Sequence, residues 1–248
     1  MQLHSTIAKG AFDTSEKYHW NVTTRLVDNE LVFGREMPIW KRVMDILFAT
    51  MGMLLLFPFL LLVAIFIKVV SPGPVLFMQE RVGYGGKIFT MFKLRTMAHN
   101  TDITIHKEFM AKLINEDENI SEPASTKVKT KIENDSRVIP FGNILRSSGI
   151  DELPQLINVL LGDMSLVGPR PPIPYEVDQY KNWFSRRFDI VPGLTGLWQV
   201  SGKNRLTFHE MIRLDIQYIQ SLSFWLDLKI LFLTPVAIID LVKDSYKK

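Results

Sequence analysis

The stretch ILFATMGMLLLFPFLLLVAIFI, residues 46–67, has no charged side chain, although 22% of the residues in the chain are charged. As one helix its 22 residues would measure about 33 Å, enough to cross the hydrocarbon core of a bilayer. A buried core helix is the alternative, but core helices rarely lack a polar stripe over about six turns. The stretch starts too late and runs too long for a secretory signal peptide. The sequence therefore predicts a membrane segment.

Pro58 lies just past the middle of this stretch and has no N–H to offer the carbonyl of Leu54, which predicts a kink or break. Positive charge of similar size flanks both sides, so the positive-inside rule gives no clear orientation. We favour a re-entrant membrane helix over residues 39–70, broken at Pro58, with both flanks cytoplasmic. A kinked helix that crosses the membrane is the alternative. The flanking charges are Lys41, Arg42, Lys68, Arg81 and Lys87.

Length, composition and charge limit the remaining possibilities. The 248 residues suggest one or two domains, and the absence of cysteine excludes a disulfide scaffold, a thiolate zinc site and thiol catalysis. The net charge of +3 divides into −3 over residues 101–135 (eight acids, five lysines) and +6 elsewhere, too mild to argue for nucleic acid. We predict an N-terminal appendage over residues 1–38, which could include a short hairpin. Residues 71–248 are predicted to form a cytoplasmic catalytic domain, with a polar excursion at residues 101–135.

Residues 75–80 and 88–96 are typical of two short strands around a glycine-rich turn. Alternation along the second strand would place Lys93 and Arg95 on one face. Two cations side by side near a membrane can clamp a phosphate, whereas an ordinary solvated face is the alternative.

The stretch SSGIDELPQLINVLL, residues 147–161, carries leucine and isoleucine at helical spacing. Because Pro154 is tolerated only in a first turn, the helix should begin at about residues 150–153. Asp151 and Glu152 would then lie at the helix N-terminus, where unpaired N–H groups favour anions, although an ordinary cap would also account for one acid. The proline-rich stretch that follows should hold Arg170 in a stiff loop.

A second glycine-rich loop, VPGLTGLWQVSGKNR at residues 191–205, precedes an amphipathic helix. Asp215 falls on the apolar side of that helix, where a carboxylate is costly without a partner. A structural arginine, a metal or a catalytic network are the partners considered. Residues 224–242 are typical of an amphipathic helix at a membrane interface, with packing on the domain's own core as the alternative.

Five motifs in order resemble the bacterial sugar transferases, the monotopic polyprenyl-phosphate phosphoglycosyl transferases, over roughly residues 38–240. They are FKLRTM at 92–97, RSSGIDELPQ at 146–155, NVLLGDMSLVGPRP at 158–171, PGLTGLWQVSG at 192–202 and Leu214-Asp215. The leading 40 residues cannot contain the four extra membrane helices of larger relatives, so the chain resembles the small catalytic form. Phe57 stands where relatives often have serine before the proline, and Val191 where many have a basic residue.

The resemblance implies transfer of a sugar 1-phosphate from a UDP-sugar to polyprenyl (undecaprenyl) phosphate, with release of UMP, at the start of surface glycan synthesis. It implies that Asp151 is the nucleophile of a covalent phosphosugar-aspartate and a ligand of Mg²⁺, and that Glu152 assists proton transfer. The substrate-binding residues it implies are Lys93, Arg95, Arg146, Arg170, Gln199, Arg205 and Asp215.

The fold class expected is α+β and predominantly α, with a re-entrant helix-break-helix, interfacial amphipathic helices and a small β-hairpin. The expected partners are a UDP-sugar, a polyprenyl phosphate lipid, the bacterial inner membrane, a second copy in a homodimer and downstream glycosyltransferases, and no nucleic acid. Two other functions are considered: a catalytically silent membrane adaptor of a glycan assembly complex and a polyprenyl diphosphate phosphatase.

Overall fold

A computed structural model describes residues 26–27, 30–31, 36–98, 104–116, 137–202 and 206–246. It is mostly helical with short strands, which confirms the expected α+β class. The strands are β1 (Leu26–Val27), β2 (Glu30–Leu31), β3 (Leu76–Val82), β4 (Ile88–Leu94), β5 (Ser165–Val167) and β6 (Gly193–Thr195). The helices are α1 (Ile39–Val70), α2 (Thr104–Glu116), α3 (Gly142–Ser148), α4 (Gln155–Leu161), α5 (Pro174–Val177), α6 (Leu197–Val200), α7 (Phe208–Gln220) and α8 (Phe224–Tyr246).

The apolar stretch forms α1, whose 32 residues make it the one helix in the described part of the chain that is long and apolar enough to cross a membrane. Helical backbone continues through Pro58, so the predicted break does not interrupt the helix. Proline removes one backbone donor, but its fixed φ near −65° remains compatible with a helix. The return of the chain to the same side of a membrane stays a prediction.

Both ends of α1 contact the rest of the protein. Near the N-terminus, Ala49 is fully buried in a core cluster with Leu156 of α4. Near the C-terminus, Ile67 is fully buried in another cluster with Leu94 of β4 and Leu145 of α3. Between them the helix exposes a long apolar surface. Helix α1 is therefore packed against the rest of the protein at two separate places.

Strands β3 and β4 form the predicted antiparallel hairpin, with Phe77 opposite Lys93 and Val82 opposite Ile88. The turn between them is a short 3₁₀ segment, Tyr84–Gly86, in which Gly85 has a φ of 62°. Such a φ strains other residues, so glycine suits this turn. The hairpin places Lys93 next to the last residue of β4.

The acidic pair lies in a separate 3₁₀ turn, Ile150–Glu152, and α4 begins only at Gln155. The predicted helix start at 150–153 is thus too early. Gly149, with a φ of 73°, ends α3, and the amides of Glu152 and Leu153 bond to carbonyls three residues back. Those bonds build a 3₁₀ turn, so Asp151 precedes the α-helix instead of starting it.

A short parallel pair, β5 with β6, was not predicted. It depends on close backbone approach, because a Cβ on Gly193 would lie 2.0 Å from the Gly168 nitrogen. Only glycine fits at that position. The pair brings the loop that carries Arg170 beside the second glycine-rich loop.

Helix α7 starts with a capping box between Thr207 and Glu210. Helix α8 does two things at once, because Ile230 is buried in the core while other apolar side chains on it are exposed. The exposed set comprises Phe224, Trp225, Phe232, Leu233, Val236 and Ile239. The buried side of α8 matches the prediction that it packs on the domain's own core. Its exposed apolar side matches the prediction of an amphipathic helix at a membrane interface.

Candidate active site

A polar cleft lies where hairpin β3–β4, the 3₁₀ turn of the acidic pair, the Arg170 loop and β6 meet. Three cationic side chains face one carboxylate across it, and the buried Asp151 precedes that carboxylate in the chain. The lining residues are Arg81, Met91, Lys93, Glu152, Gln155, Arg170, Pro171, Gly193, Leu194 and Gln199. Four predicted site residues, Lys93, Glu152, Arg170 and Gln199, therefore come together in space.

Lys93 and Glu152 form an ion pair inside the cleft. The Nζ atom of Lys93 donates to Oε1 of Glu152 at 2.9 Å, and both side chains are partly exposed. The lysine comes from β4 and the glutamate from the 3₁₀ turn, so the pair fixes these two elements against each other at the point where a substrate would enter.

Asn158 of α4 aligns strand β4 with the segment that carries Glu152. The sequence alone did not single this residue out. Its side chain is fully buried, accepts a hydrogen bond from the Phe92 amide at 3.0 Å and donates one to the Thr90 carbonyl at 2.7 Å. Helix α4 is thereby attached to β4, and Lys93 follows in register opposite Glu152. A polar residue in the middle of an apolar helical pattern was the available signal.

Arg81 supports the cleft from the hairpin side. Its guanidinium is buried and donates to the Pro171 carbonyl at 2.9 Å and to Oε1 of Gln79 at 2.6 Å. Burial, and after it the charge of Arg170, lowers the pKa of Arg81 to about 10, so the side chain keeps its charge at neutral pH. The sequence analysis counted Arg81 only as a charge that flanks the membrane segment.

Asp215 lies behind the cleft lining. It is buried, and its Oδ2 is 2.7 Å from Nη2 of Arg187. Arg187 also donates to the Arg170 carbonyl and to the Tyr180 hydroxyl, each at 2.8 Å. Burial raises the pKa of Asp215 to about 6, while Arg187 acts in the opposite direction. Of the partners considered, the structural arginine is the one present, and it links Asp215 to the Arg170 loop, whereas the substrate-binding role of Asp215 stays a prediction.

Arg95 also differs from its prediction. Its Nη1 donates to the Pro72 carbonyl at 2.6 Å and its Nη2 to the Ser71 carbonyl at 2.7 Å. Strand β4 ends at Leu94, and both carbonyls that Arg95 contacts belong to the loop that follows α1. The buried guanidinium instead fastens the loop that leaves α1.

The other predicted substrate residues have different surroundings. Gln199 lines the cleft from α6. Arg146 lies in the last turn of α3 and is not among the residues that line the described cleft, so its substrate-binding role stays a prediction. Arg205 lies outside the described residues. The structure therefore supports a smaller cationic set at the cleft, in which Arg81 joins Lys93 and Arg170.

A family model described as bacterial sugar transferase matches residues 36–240. The chain therefore belongs to the bacterial sugar transferase family, and the protein is an enzyme.

Individual relatives agree with this assignment. The chain is 40% identical over 205 residues to the galactosyl transferase CpsE of Streptococcus agalactiae, covering 79% of this chain and 41% of that relative. It is 38% identical over 206 residues to the exopolysaccharide production protein ExoY of Rhizobium meliloti, covering 83% and 88%. It is 42% identical over 202 residues to a UDP-glucose:undecaprenyl-phosphate glucose-1-phosphate transferase of Caulobacter vibrioides, covering 78% and 67%. The chain thus spans about two fifths of the first relative and most of the second.

Proposed function

We propose that the protein transfers a sugar 1-phosphate from a UDP-sugar to undecaprenyl phosphate and releases UMP. The observation that carries this proposal is the acidic pair Asp151-Glu152 next to a cleft lined by Arg81, Lys93 and Arg170. The name of the Caulobacter relative, a UDP-glucose:undecaprenyl-phosphate glucose-1-phosphate transferase, supports the substrate classes.

The charges of the cleft suit a diphosphate. Three cations against the one carboxylate of Glu152 leave the described lining with an excess of positive charge. Arg170 and Lys93 come from different elements and line the same cleft, so both can contact phosphate oxygens of one substrate. Charge-assisted hydrogen bonds of this kind are the strong ones in proteins, and they strengthen where charge develops in the transition state.

In the first proposed step, a carboxylate oxygen of Asp151 attacks the phosphorus that carries the sugar. An oxygen–phosphorus bond to Asp151 forms, the bond from that phosphorus to the bridging oxygen breaks, and UMP leaves with the bond's electrons. The burial of Asp151 keeps water away from the acyl phosphate that results.

In the second step, an oxygen of undecaprenyl phosphate attacks the same phosphorus. The bond to Asp151 breaks, the carboxylate is regenerated, and the lipid leaves as a diphosphate-linked sugar. Glu152 is the base that takes a proton from the incoming phosphate if it arrives protonated. The ion pair with Lys93 holds the Glu152 carboxylate in place for this transfer.

Magnesium fits the donor set. The ion commonly binds through one or two carboxylates together with substrate phosphates. In the described part of the chain no group of three or more acidic, histidine or cysteine side chains is placed to hold a metal ion. Asp151 would hold the ion, whose positive charge would neutralise the diphosphate.

The packing of α1 supports the re-entrant topology as a proposal. Its N-terminal part contacts the catalytic domain around Ala49, and its C-terminal part contacts it around Ile67. Two ends that contact one domain favour a location of both flanks on the cytoplasmic face of the inner membrane. Because the chain has no cysteine, Glu36→Cys and Pro74→Cys can be labelled singly. Labelling from the same side supports the proposal, and labelling from opposite sides shows a helix that crosses.

The covalent step is tested without the lipid acceptor. Purified protein is incubated with UDP-sugars and Mg²⁺, and mass spectrometry is used to look for a phosphohexose adduct on Asp151. We expect the adduct in the wild type and in the matched control Asp178→Asn, an exposed acid, but not in Asp151→Asn. UMP release that persists in Asp151→Asn without any adduct would refute the covalent mechanism. The homodimer and the downstream glycosyltransferases stay predictions.

A further inference from the structure

A second concave surface lies between the 3₁₀ segment Asn182–Asp189 and the outward face of α7. We call it the basic groove. It has no residue in common with the active-site cleft. Its lining residues are Lys181, Trp183, Arg186, His209, Arg213, Ile216, Gln217 and Gln220.

The basic groove concentrates positive charge. Lys181, Arg186 and Arg213 line it together with His209, and its described lining includes no carboxylate. Asp189 acts electrostatically on Arg186 and offsets part of its charge, and the lining itself carries the three cations Lys181, Arg186 and Arg213. Like charges that share one concave surface repel each other, and a bound anion removes that repulsion.

The basic groove takes part of its lining from the side of α7 that faces away from the core. The residues of α7 that face the core include Met211, Ile212, Asp215 and Ile219, whereas Arg213 and Gln217 are exposed. Trp183 packs edge-on against Phe184 with ring centroids 4.5 Å apart, which gives the basic groove a rigid aromatic wall. A preformed wall lowers the entropy cost of binding a ligand.

The basic groove also lies close to the expected membrane surface. Gln220 at its end is four residues before Phe224, a distance that extended chain bridges in at most about 14 Å. The Phe224 ring is 5.8 Å from that of Trp40 in the first turn of α1 and 5.5 Å from that of Trp225. Trp225 is 77% exposed. Aromatic side chains of this kind gather at the headgroup level of membranes.

We propose that the basic groove binds the phosphate headgroup of an anionic phospholipid in the leaflet that carries the enzyme. The inference rests on the proposed membrane association. Arg186, Arg213 and Lys181 supply charge for the phosphate, and Gln217 and Gln220 supply hydrogen bonds for headgroup hydroxyls. A lipid held there adds a contact between the domain and the membrane beyond α1 and α8, and so limits how far the active-site cleft can tilt from the surface.

The test is native mass spectrometry of the full chain in a neutral detergent, titrated with phosphatidylglycerol or with phosphatidylcholine. We expect the wild type to bind phosphatidylglycerol in preference. Arg186→Gln/Arg213→Gln should weaken that binding by about ten-fold or more, since each basic side chain near an anionic surface contributes about 1 kcal/mol. Lys87→Gln/Lys107→Gln removes the same charge from exposed positions elsewhere and should bind as the wild type does.

Two further measurements make the outcome decisive. Arg186→Lys/Arg213→Lys keeps the charge and should retain binding, which separates loss of charge from loss of fold. Equal binding by wild type and Arg186→Gln/Arg213→Gln overturns the inference, as does groove-dependent binding of UMP or of a poly-glutamate peptide with no binding of phosphatidylglycerol. Adduct formation on Asp151 needs no phospholipid, so a wild type that forms the adduct but does not prefer phosphatidylglycerol refutes this inference alone.

Discussion

Arg187 and Asp215 form a buried ion pair, with Nη2 of the arginine 2.7 Å from Oδ2 of the aspartate. The same Nη2 atom donates to the backbone carbonyl of Arg170, whose side chain lines the active-site cleft. Asp215 is therefore linked to the cleft through Arg187 and the Arg170 backbone, and we expect it to act as a positioning residue.

This arrangement predicts that a double variant of Arg187 and Asp215 regains stability without regaining activity. Arg187→Met and Asp215→Leu should each lower the free energy of unfolding by about 3–5 kcal/mol, because each leaves a buried charge without its partner. The double variant should recover much of that stability. Its kcat/KM should stay lower by about ten-fold, because the Arg170 carbonyl still lacks its donor. Thermal unfolding in detergent and a transfer assay measure the two quantities. Recovery of activity along with stability would contradict the positioning role.

The pH dependence of stability follows from the same buried carboxyl. Burial raises the pKa of Asp215 to about 6 from 3.8. As pH rises between these values, the unfolded chain releases the proton while the folded chain keeps it, so stability falls. Relative to Asp215→Asn, the wild type should lose up to about 3 kcal/mol between pH 4 and 6, at about 1.4 kcal/mol per unit. Asp189, whose pKa burial also raises to about 6, contributes to both proteins and cancels. Parallel stability curves of the two proteins over this range would exclude the shift.

The ion pair between Lys93 and Glu152 predicts coupled effects on catalysis. Glu152→Gln should slow transfer by at least about 10²-fold, a typical loss for a general base. Lys93→Met should slow it as well, and the double variant should be less impaired than the product of the two single effects, because both disturb one pair. Glu80→Gln, which neutralises an exposed acid on the same hairpin, is the control and should leave the rate unchanged. Strictly multiplicative effects would show that the two residues act independently.

Much of this architecture could be predicted from local sequence pattern. The hairpin and the buried side of α7 follow from the spacing of apolar residues within one segment, and the apolar helix follows from an uninterrupted apolar run. Proline and glycine also mark the segments of the acidic pair and of Arg170, but the roles of these residues come from the family resemblance and stay predictions.

What could not be predicted depends on partners from distant segments. Arg95 was assigned to phosphate, but the Ser71 and Pro72 carbonyls take its donors. Asp215 had several candidate partners in the sequence analysis. The partner in the structure is Arg187, which comes from a different segment of the chain. The parallel pair β5–β6 is three residues long in each strand, too short for a readable period, and it exists because two glycine backbones meet.

That close approach makes Gly193 a sharp steric test. A Cβ at this position would meet the Gly168 nitrogen at 2.0 Å and the Thr195 oxygen at 2.5 Å, both of them backbone atoms that cannot move independently. Gly193→Ala should therefore separate β5 from β6, displace the Arg170 loop and abolish transfer. Gly52→Ala, whose Cβ would have an ordinary contact of 3.6 Å with Leu156, should be neutral or stabilising within a helix. Thermal unfolding and the transfer assay compare the two variants. An active Gly193→Ala protein would show that the Arg170 loop keeps its function when β5 and β6 are separated.

The attachment of α1 to the domain rests on a fully buried lysine. Nζ of Lys41 donates to Oδ2 of Asp227 at 2.5 Å, to the Val167 carbonyl at 2.8 Å and to the Tyr218 hydroxyl at 3.0 Å. Lys41→Met removes the only positive charge among these four groups and leaves the Asp227 carboxylate buried, so it should lower the free energy of unfolding by about 3–5 kcal/mol.

Adding Asp227→Asn to Lys41→Met removes the stranded charge and should restore part of the loss. Lys68→Met is the matched control, because Lys68 lies near the other end of α1, is exposed and bonds only weakly to the Gly73 carbonyl at 3.2 Å. Its stability should change by less than about 0.5 kcal/mol, as is usual for surface substitutions. Thermal unfolding in one detergent at one pH compares the three variants. Equal stability of Lys41→Met and Lys68→Met would mean that the other contacts of α1 hold it in place, namely the packing around Ala49 and Ile67 and the hydrogen bonds of Arg42 and Asp45.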